Sequence, residues 1–186
     1  MNTPRPPWYI ESSETDYHYA FFISHVLEDT DQVAELRNQI TSQSGRGGRR
    51  TPDCFLDIDR WLKGNTNSHV IRESLLRSEY FVVWVTPAFL RNRRGWIWME
   101  FAYAELLDPS LNLDKFGTQL PYILPIFHGV SSRPAERTPL QPYIQRNLTR
   151  PGARDAPIAN IARDLVDFYD QQELRRGGWD DRQPKR

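Results

Sequence analysis

The chain has 186 residues, a single cysteine and no long apolar segment. Because Cys54 stands alone, neither an intrachain disulfide nor a zinc site built from several cysteines can form. A reducing compartment is consistent with this, and we predict a cytoplasmic protein. No apolar run approaches the roughly 18 residues that a transmembrane helix requires. Residues 1–8 lack the apolar core of a signal peptide, so we expect no membrane segment.

An excess of charge of either sign is also missing, since 24 Lys and Arg face 24 Asp and Glu. A general nucleic-acid or anionic-membrane binder would be basic overall. The arginines of two clusters, 46–50 and 91–94, could contact phosphates, but such clusters are more often solvated loop residues. We therefore expect neither a nucleic acid nor a membrane among the direct partners.

Common cofactor and metal motifs are absent from the sequence. The glycine-rich stretch 45–48 lacks the Lys-Ser/Thr of a phosphate-binding P-loop and precedes a strand. No GxGxxG follows the first predicted strand, and no GxSxG nucleophile elbow occurs. The four histidines show no spacing typical of a metal site. We predict no metal and no bound cofactor.

Short apolar runs alternate with helical patterns along the chain. The runs are apolar on both faces, which is typical of buried parallel strands, and Pro125 places the fourth at an edge or a strand end. Asp29, Thr30 or Asp31 can cap the first helix. The alternation predicts an α/β, flavodoxin-like doubly wound fold, with a mainly parallel sheet of four or five strands and helices on both faces. The predicted strands are 17–23, 54–57, 80–86 and 122–127, and the predicted helices begin near 30, 68, 96 and 158.

These elements predict one domain over residues 17–174. Residues 1–16 form a flexible leader in this interpretation, and residues 175–186 form a polar tail. The stretch 128–157 is rich in Pro, Arg and Ser and is predicted to be irregular.

Ligands of parallel α/β sheets bind at the carboxyl ends of the strands, where two segments draw interest. Ser24 and His25 end the first strand, although a capping serine and a surface histidine would look the same. The loop 57–65 carries Trp61 among charged residues, which suggests a ligand or partner contact. Alternatively, Trp61 folds back onto its own domain.

Glu100 is the third candidate. It lies four residues after Trp96, so the two share one face of the predicted helix. Its neighbours Ile97, Phe101, Ala102 and Ala104 are apolar. A carboxylate in such a setting is poised for charge stabilisation or proton transfer. The alternative is an ordinary solvent-facing helix glutamate.

The order of these motifs resembles a TIR (Toll/interleukin-1 receptor) domain over roughly residues 17–130. The Phe-Ile-Ser-His ending of the first strand resembles the family's opening box, and Thr86-Pro87 stands where the family has Ser-Pro. The pattern Trp96-x-x-x-Glu100 resembles the family's tryptophan–glutamate helix. Further matching positions are Asp57, Leu62, Gly64, Ile71, Leu75, Ser78, Leu106 and Leu124-Pro125-Ile126.

The resemblance implies an enzyme that cleaves NAD at the nicotinamide–ribose bond, with NAD as substrate and Glu100 as the catalytic carboxylate. Cleavage leaves an oxocarbenium-like ribose, as in glycoside hydrolysis. Attack by water would give ADP-ribose, and attack by adenine or a ribose hydroxyl would give a cyclic product. The implied context is bacterial immunity against phage.

The resemblance also implies the remaining binding residues and partners. Ser24 and His25 would line the phosphate or ribose side, and Trp96 would support Glu100 or pack on the ligand. The loop 58–68, the family's BB loop, would gate the site and mediate self-association with other TIR domains. A separate sensor or effector protein would complete the system. The alternative is a non-catalytic TIR interaction module that uses the same loop. The substrate contacts implied within the loop are Asp59, Trp61, Lys63 and Gly64.

Overall fold

The computed structural model describes eight ranges of the chain, which together contain four strands and five α-helices. The described residues are 19–43, 52–56, 68–92, 96–111, 122–133, 135, 138–146 and 156–175. The strands are β1 (Tyr19–Ser24), β2 (Cys54–Leu56), β3 (Ser78–Val85) and β4 (Ile123–Phe127). The helices are α1 (Thr30–Gln43), α2 (Ser68–Leu76), α3 (Pro87–Arg91), α4 (Trp96–Leu111) and α5 (Ile158–Arg175), with 3-10 helices at Leu27–Asp29 and Gln141–Arg146.

The four strands form one parallel sheet in the order β2-β1-β3-β4. Phe21 of β1 lies opposite Cys54 on one side and Tyr80 on the other. This order is that of flavodoxin-like doubly wound sheets, so the predicted fold class is confirmed. In such a sheet the winding reverses between β1 and β3, and ligands bind in the crevice outside their carboxyl ends.

Both faces of the sheet are covered by helices, as the apolar runs predicted. Successive residues of β1 point to opposite faces, so Phe22 packs with α2 and α4 whereas Phe21 and Ile23 pack with α1 and α5. Phe22 and Ile23 are both fully buried. Pro125 lies in β4, the edge strand of the described sheet, where its missing N–H is tolerated.

Several element boundaries differ from the prediction. β3 begins at Ser78 rather than Tyr80 because Ser78 pairs with Tyr19 and its hydroxyl donates to the carbonyl of Ser74, which satisfies a polar residue inside the sheet. Pro87 does not simply end a strand; it opens α3, where its fixed φ and missing N–H suit the first helical turn.

Helix ends differ in the same way. The predicted irregular stretch 128–157 contains the 3-10 helix Gln141–Arg146, and Arg175 belongs to α5 rather than to the tail. The predicted leader 1–16, the tail after 175 and most of the loop 58–68 lie outside the described residues. Within the ranges that the structure describes, no helix is both long and apolar enough to cross a membrane.

Candidate functional site

Ser24 lies at the carboxyl end of β1, and its side chain is on the sheet face that α4 covers. Ser24 follows Phe22 by two residues and therefore shares its face. Its side chain is buried and its hydroxyl donates to Oε2 of Glu100 at 2.5 Å. The interpretation of Ser24 as a capping serine is wrong.

Glu100 is the polar member of the buried stripe of α4. Ile97, Phe101 and Ala104 recur with it at helical spacing and pack against the sheet. Only 3% of Glu100 is exposed, so the solvent-facing interpretation is wrong and the desolvated one is confirmed. Burying a carboxylate is costly unless it is hydrogen-bonded, and the short bond from Ser24 meets that condition.

This arrangement can stabilise positive charge. An ionised carboxylate is an acceptor only, so the Ser24 hydroxyl must point its proton at Glu100. In surroundings of low dielectric constant, a fixed carboxylate acts more strongly on a nearby developing cation than it would in water. Glu105, five residues further along α4, is engaged elsewhere, because it accepts a hydrogen bond from the Tyr143 hydroxyl at 3.2 Å.

A second polar group lies at the same carboxyl edge, and sequence reasoning missed it. Thr86, directly after β3, donates its hydroxyl to Oδ2 of Asp29 at 2.5 Å, and both side chains are buried. Burial raises the pKa of Asp29 above its usual value of 3.8. The Thr86 hydroxyl and His25 counteract that rise, Glu28 adds to it, and His128 counteracts it weakly. We call Asp29, Thr86, His25 and His128 the Asp29 cluster.

The two histidines of the Asp29 cluster directly follow β1 and β4. His25 is half-buried, with Nδ1 3.3 Å from the carbonyl oxygen of Ile23, so it is not simply a surface histidine. His128 donates its backbone N–H to Val85 and stacks its ring on Trp84 with centroids 5.0 Å apart. The Trp84 indole N–H in turn lies 3.4 Å from the side-chain oxygen of Gln32 on α1.

One signal in the sequence pointed to this cluster. Thr86 follows the strand next to β1 and therefore lies at the edge where ligands of this fold bind. Asp29 was interpreted only as a possible cap of the first helix. The contact between the two joins segments 57 residues apart, which no local pattern reveals.

The other predicted site residues are not described. Asp59, Trp61, Lys63 and Gly64 lie outside the described residues, as does the side chain of Trp96, whose backbone begins α4. Their roles stay predictions. Among the side chains that the structure describes, no three His, Cys, Asp or Glu residues gather as metal ligands would.

Comparisons with known proteins do not identify a family for this chain. A scan against protein-family models found no match, and a search of curated proteins found none either. The two polar groups at the carboxyl edge therefore carry the functional argument.

The Asp29→Asn variant is expected to be more stable than wild type at neutral pH. Because the folded-state pKa of Asp29 is raised, the native state binds the proton more tightly than the unfolded state does. Wild-type stability therefore falls as pH rises from the usual carboxyl range through the folded-state pKa. Asparagine is neutral at every pH, so the Asp29→Asn variant does not lose stability in this way. Its free energy of unfolding relative to wild type should rise from near zero at pH 3 to a plateau above the folded-state pKa of Asp29.

Urea unfolding from pH 3 to 8 measures this gain. We expect a positive plateau, and each 1 kcal/mol of it raises Tm by about 2–4 °C for a chain of this size. Asp31→Asn is the matched control, because Asp31 is exposed on the next turn. A gain that is absent, or equal in the two variants, would contradict the assigned burial cost.

Proposed function

We propose that this chain cleaves NAD at the bond between nicotinamide and ribose, with Glu100 as the carboxylate that stabilises the reacting ribose. The observation that carries the proposal is the buried hydrogen bond from Ser24 to Glu100 at the carboxyl end of β1. The resemblance of the sequence to TIR domains supplies the reaction.

The proposed chemistry needs no metal and no separate strong acid. The C–N bond breaks heterolytically, its electron pair passes to the nicotinamide nitrogen, and positive charge develops on the ribose carbon and ring oxygen. The carboxylate of Glu100 orients the ribose hydroxyls and opposes that charge. Water then adds to the ribose carbon and releases its proton, which gives ADP-ribose. Adenine or a ribose hydroxyl can take the place of water, which gives a cyclic product.

The remaining residues take the roles that the resemblance implies. His25 lines the phosphate or ribose side, and Trp96 supports Glu100 or packs on the ligand. The loop 58–68 gates the site and joins one TIR domain to another, with Asp59, Trp61, Lys63 and Gly64 as contacts. In this proposal the protein acts in the cytoplasm, in antiphage immunity, and responds to a separate sensor or effector.

Ser24 is expected to contribute to turnover by holding Glu100. Its hydroxyl is the donor that fixes one carboxylate oxygen, and a hydrogen bond to a charged group is worth about 1.5–3 kcal/mol. Ser24→Ala should therefore lower kcat for nicotinamide release about tenfold or more. Steady-state kinetics on folded protein measure this drop, with Ser42→Ala, on the exposed end of α1, as control. Wild-type kcat in Ser24→Ala would remove Ser24 from the mechanism.

The proposal is tested by incubating the full chain with NAD and resolving the products by chromatography. We expect nicotinamide in equal amount to ADP-ribose or a cyclic isomer, with a rate per molecule that rises with protein concentration because sites form on self-association. A crowding agent should raise that rate further. No nicotinamide at any concentration, with or without the crowding agent, would refute the proposed activity and favour the non-catalytic interaction module.

A further inference from the structure

We propose that Thr86 and Asp29 are positioning residues for Glu100. Their hydrogen bond helps to set the start of α3, and α3 contacts the first turns of α4, the helix that carries Glu100. This inference rests on the proposed function, because positioning is measured through NAD cleavage.

Asp29 acts on the start of α3 through the side chain of Thr86. The Thr86 hydroxyl donates to Asp29 and, in the same geometry, accepts the backbone N–H of Phe89 at 3.1 Å, which makes Thr86 the N-cap of α3. A helix of five residues is too short to be stable by itself, so its start depends on such a cap. The Thr86 hydroxyl, oriented by Asp29, therefore helps to fix the start of α3.

Two contacts of Trp98 connect α3 to α4. The Phe89 ring packs on the Trp98 ring with centroids 5.4 Å apart, and the Trp98 indole N–H donates to the carbonyl of Asn92 at 2.9 Å. Asn92 is the C-cap of α3. Both contacts hold the first turns of α4, and Glu100 follows Trp98 by two residues of the same helix. A displacement of α3 is therefore passed to Glu100.

The chemistry of Asp29 explains why a carboxylate suits this place. A carboxylate accepts hydrogen bonds and cannot donate them, so the Thr86 proton has to point at Asp29, and the lone pairs of Thr86 remain for Phe89. An asparagine could turn either its oxygen or its amide hydrogens to Thr86 and would constrain the hydroxyl less.

The test compares three variants of the full chain in the NAD cleavage assay. Thr86→Val keeps the shape and removes both hydrogen bonds, whereas Thr86→Ser keeps both. Thr138→Val is the matched control, because the Thr138 hydroxyl also donates to one carbonyl and accepts one backbone N–H. We expect Thr86→Val to lower kcat about tenfold, with KM within about threefold of wild type, since a shifted carboxylate binds but reacts poorly.

Thr86→Ser tests for rescue of kcat, and Thr138→Val tests for a general effect of losing a hydrogen-bonded threonine hydroxyl. Thr86→Ser should recover most of kcat and Thr138→Val should resemble wild type. An unchanged kcat in Thr86→Val, or an equal loss in Thr86→Ser, overturns the inference. If Thr86→Val does not fold, Asp29→Asn takes its place, with an expected loss in kcat of about threefold to fivefold at unchanged KM. Wild-type kcat in that variant overturns the inference equally.

A second measurement needs no turnover. Amide hydrogen exchange followed by mass spectrometry should be faster in Thr86→Val, or in Asp29→Asn if that variant replaces it. The faster exchange should cover residues 88–92 and also the first turns of α4, residues 96–101. Faster exchange confined to 88–92 overturns the transmission to α4. An inactive wild type refutes the proposed function, whereas an active wild type with an equally active Thr86→Val refutes only the positioning role.

Discussion

The Glu100→Gln variant is expected to release nicotinamide from NAD at least about a hundred times more slowly than wild type. Glutamine has the same shape and can still accept the hydroxyl of Ser24, so the local packing of α4 is kept. What it loses is the negative charge that opposes the cation developing on ribose. Because the side chain is only 3% exposed, little water is present to replace that charge.

Glu105→Gln is the control for this result. It changes the same residue type on the same helix, at a side chain that is bonded to Tyr143 and is not part of the proposed site. Its turnover should stay within about threefold of wild type, and both variants should show wild-type far-UV spectra. Full turnover in Glu100→Gln would exclude Glu100 as the catalytic carboxylate.

The Trp84→Ala variant is expected to lose about 3–5 kcal/mol of unfolding free energy. Trp84 is fully buried in β3, the strand between β1 and β4, and its ring stacks on His128. Truncation removes this contact and leaves a cavity under α1. Since a domain is stable by only about 5–15 kcal/mol in total, a large share of the stability would be lost.

Urea unfolding at pH 7 measures this loss, with Leu174→Ala as control. Leu174 is also a large apolar residue, but 62% of it is exposed on α5, so its truncation should change stability by no more than about 0.5 kcal/mol. A loss below about 1 kcal/mol in Trp84→Ala would show that the neighbouring side chains collapse into the space.

Local patterns predicted the elements that pack on apolar residues. Every strand of the described sheet contains a run that is apolar on both faces, and the alternation of strands with helices predicted that the strands would be parallel. The predicted element boundaries are wrong where a polar side chain forms a hydrogen bond that the apolar periodicity does not reveal. Ser78 extends β3 through its hydrogen bond to Ser74, and Pro87 begins a helix because Thr86 caps it.

Glu100 shows which features of a candidate site the sequence predicts and which it does not. Its apolar neighbours Ile97, Phe101 and Ala104 are compatible with a desolvated carboxylate, but the same sequence fits a solvent-facing helix glutamate. The burial of Glu100 and its contact with Ser24 were decided by the tertiary structure.

The sequence by itself determined the doubly wound α/β architecture and the two covered faces of the sheet, because these depend on periodicities within single elements. Only the tertiary structure decided which polar groups meet. Ser24 reaches Glu100 across 76 residues and Asp29 reaches Thr86 across 57. Such pairs depend on strand order and register, which bring remote segments to one edge of the sheet, and a hydrogen bond between them leaves no mark on the local sequence of either partner.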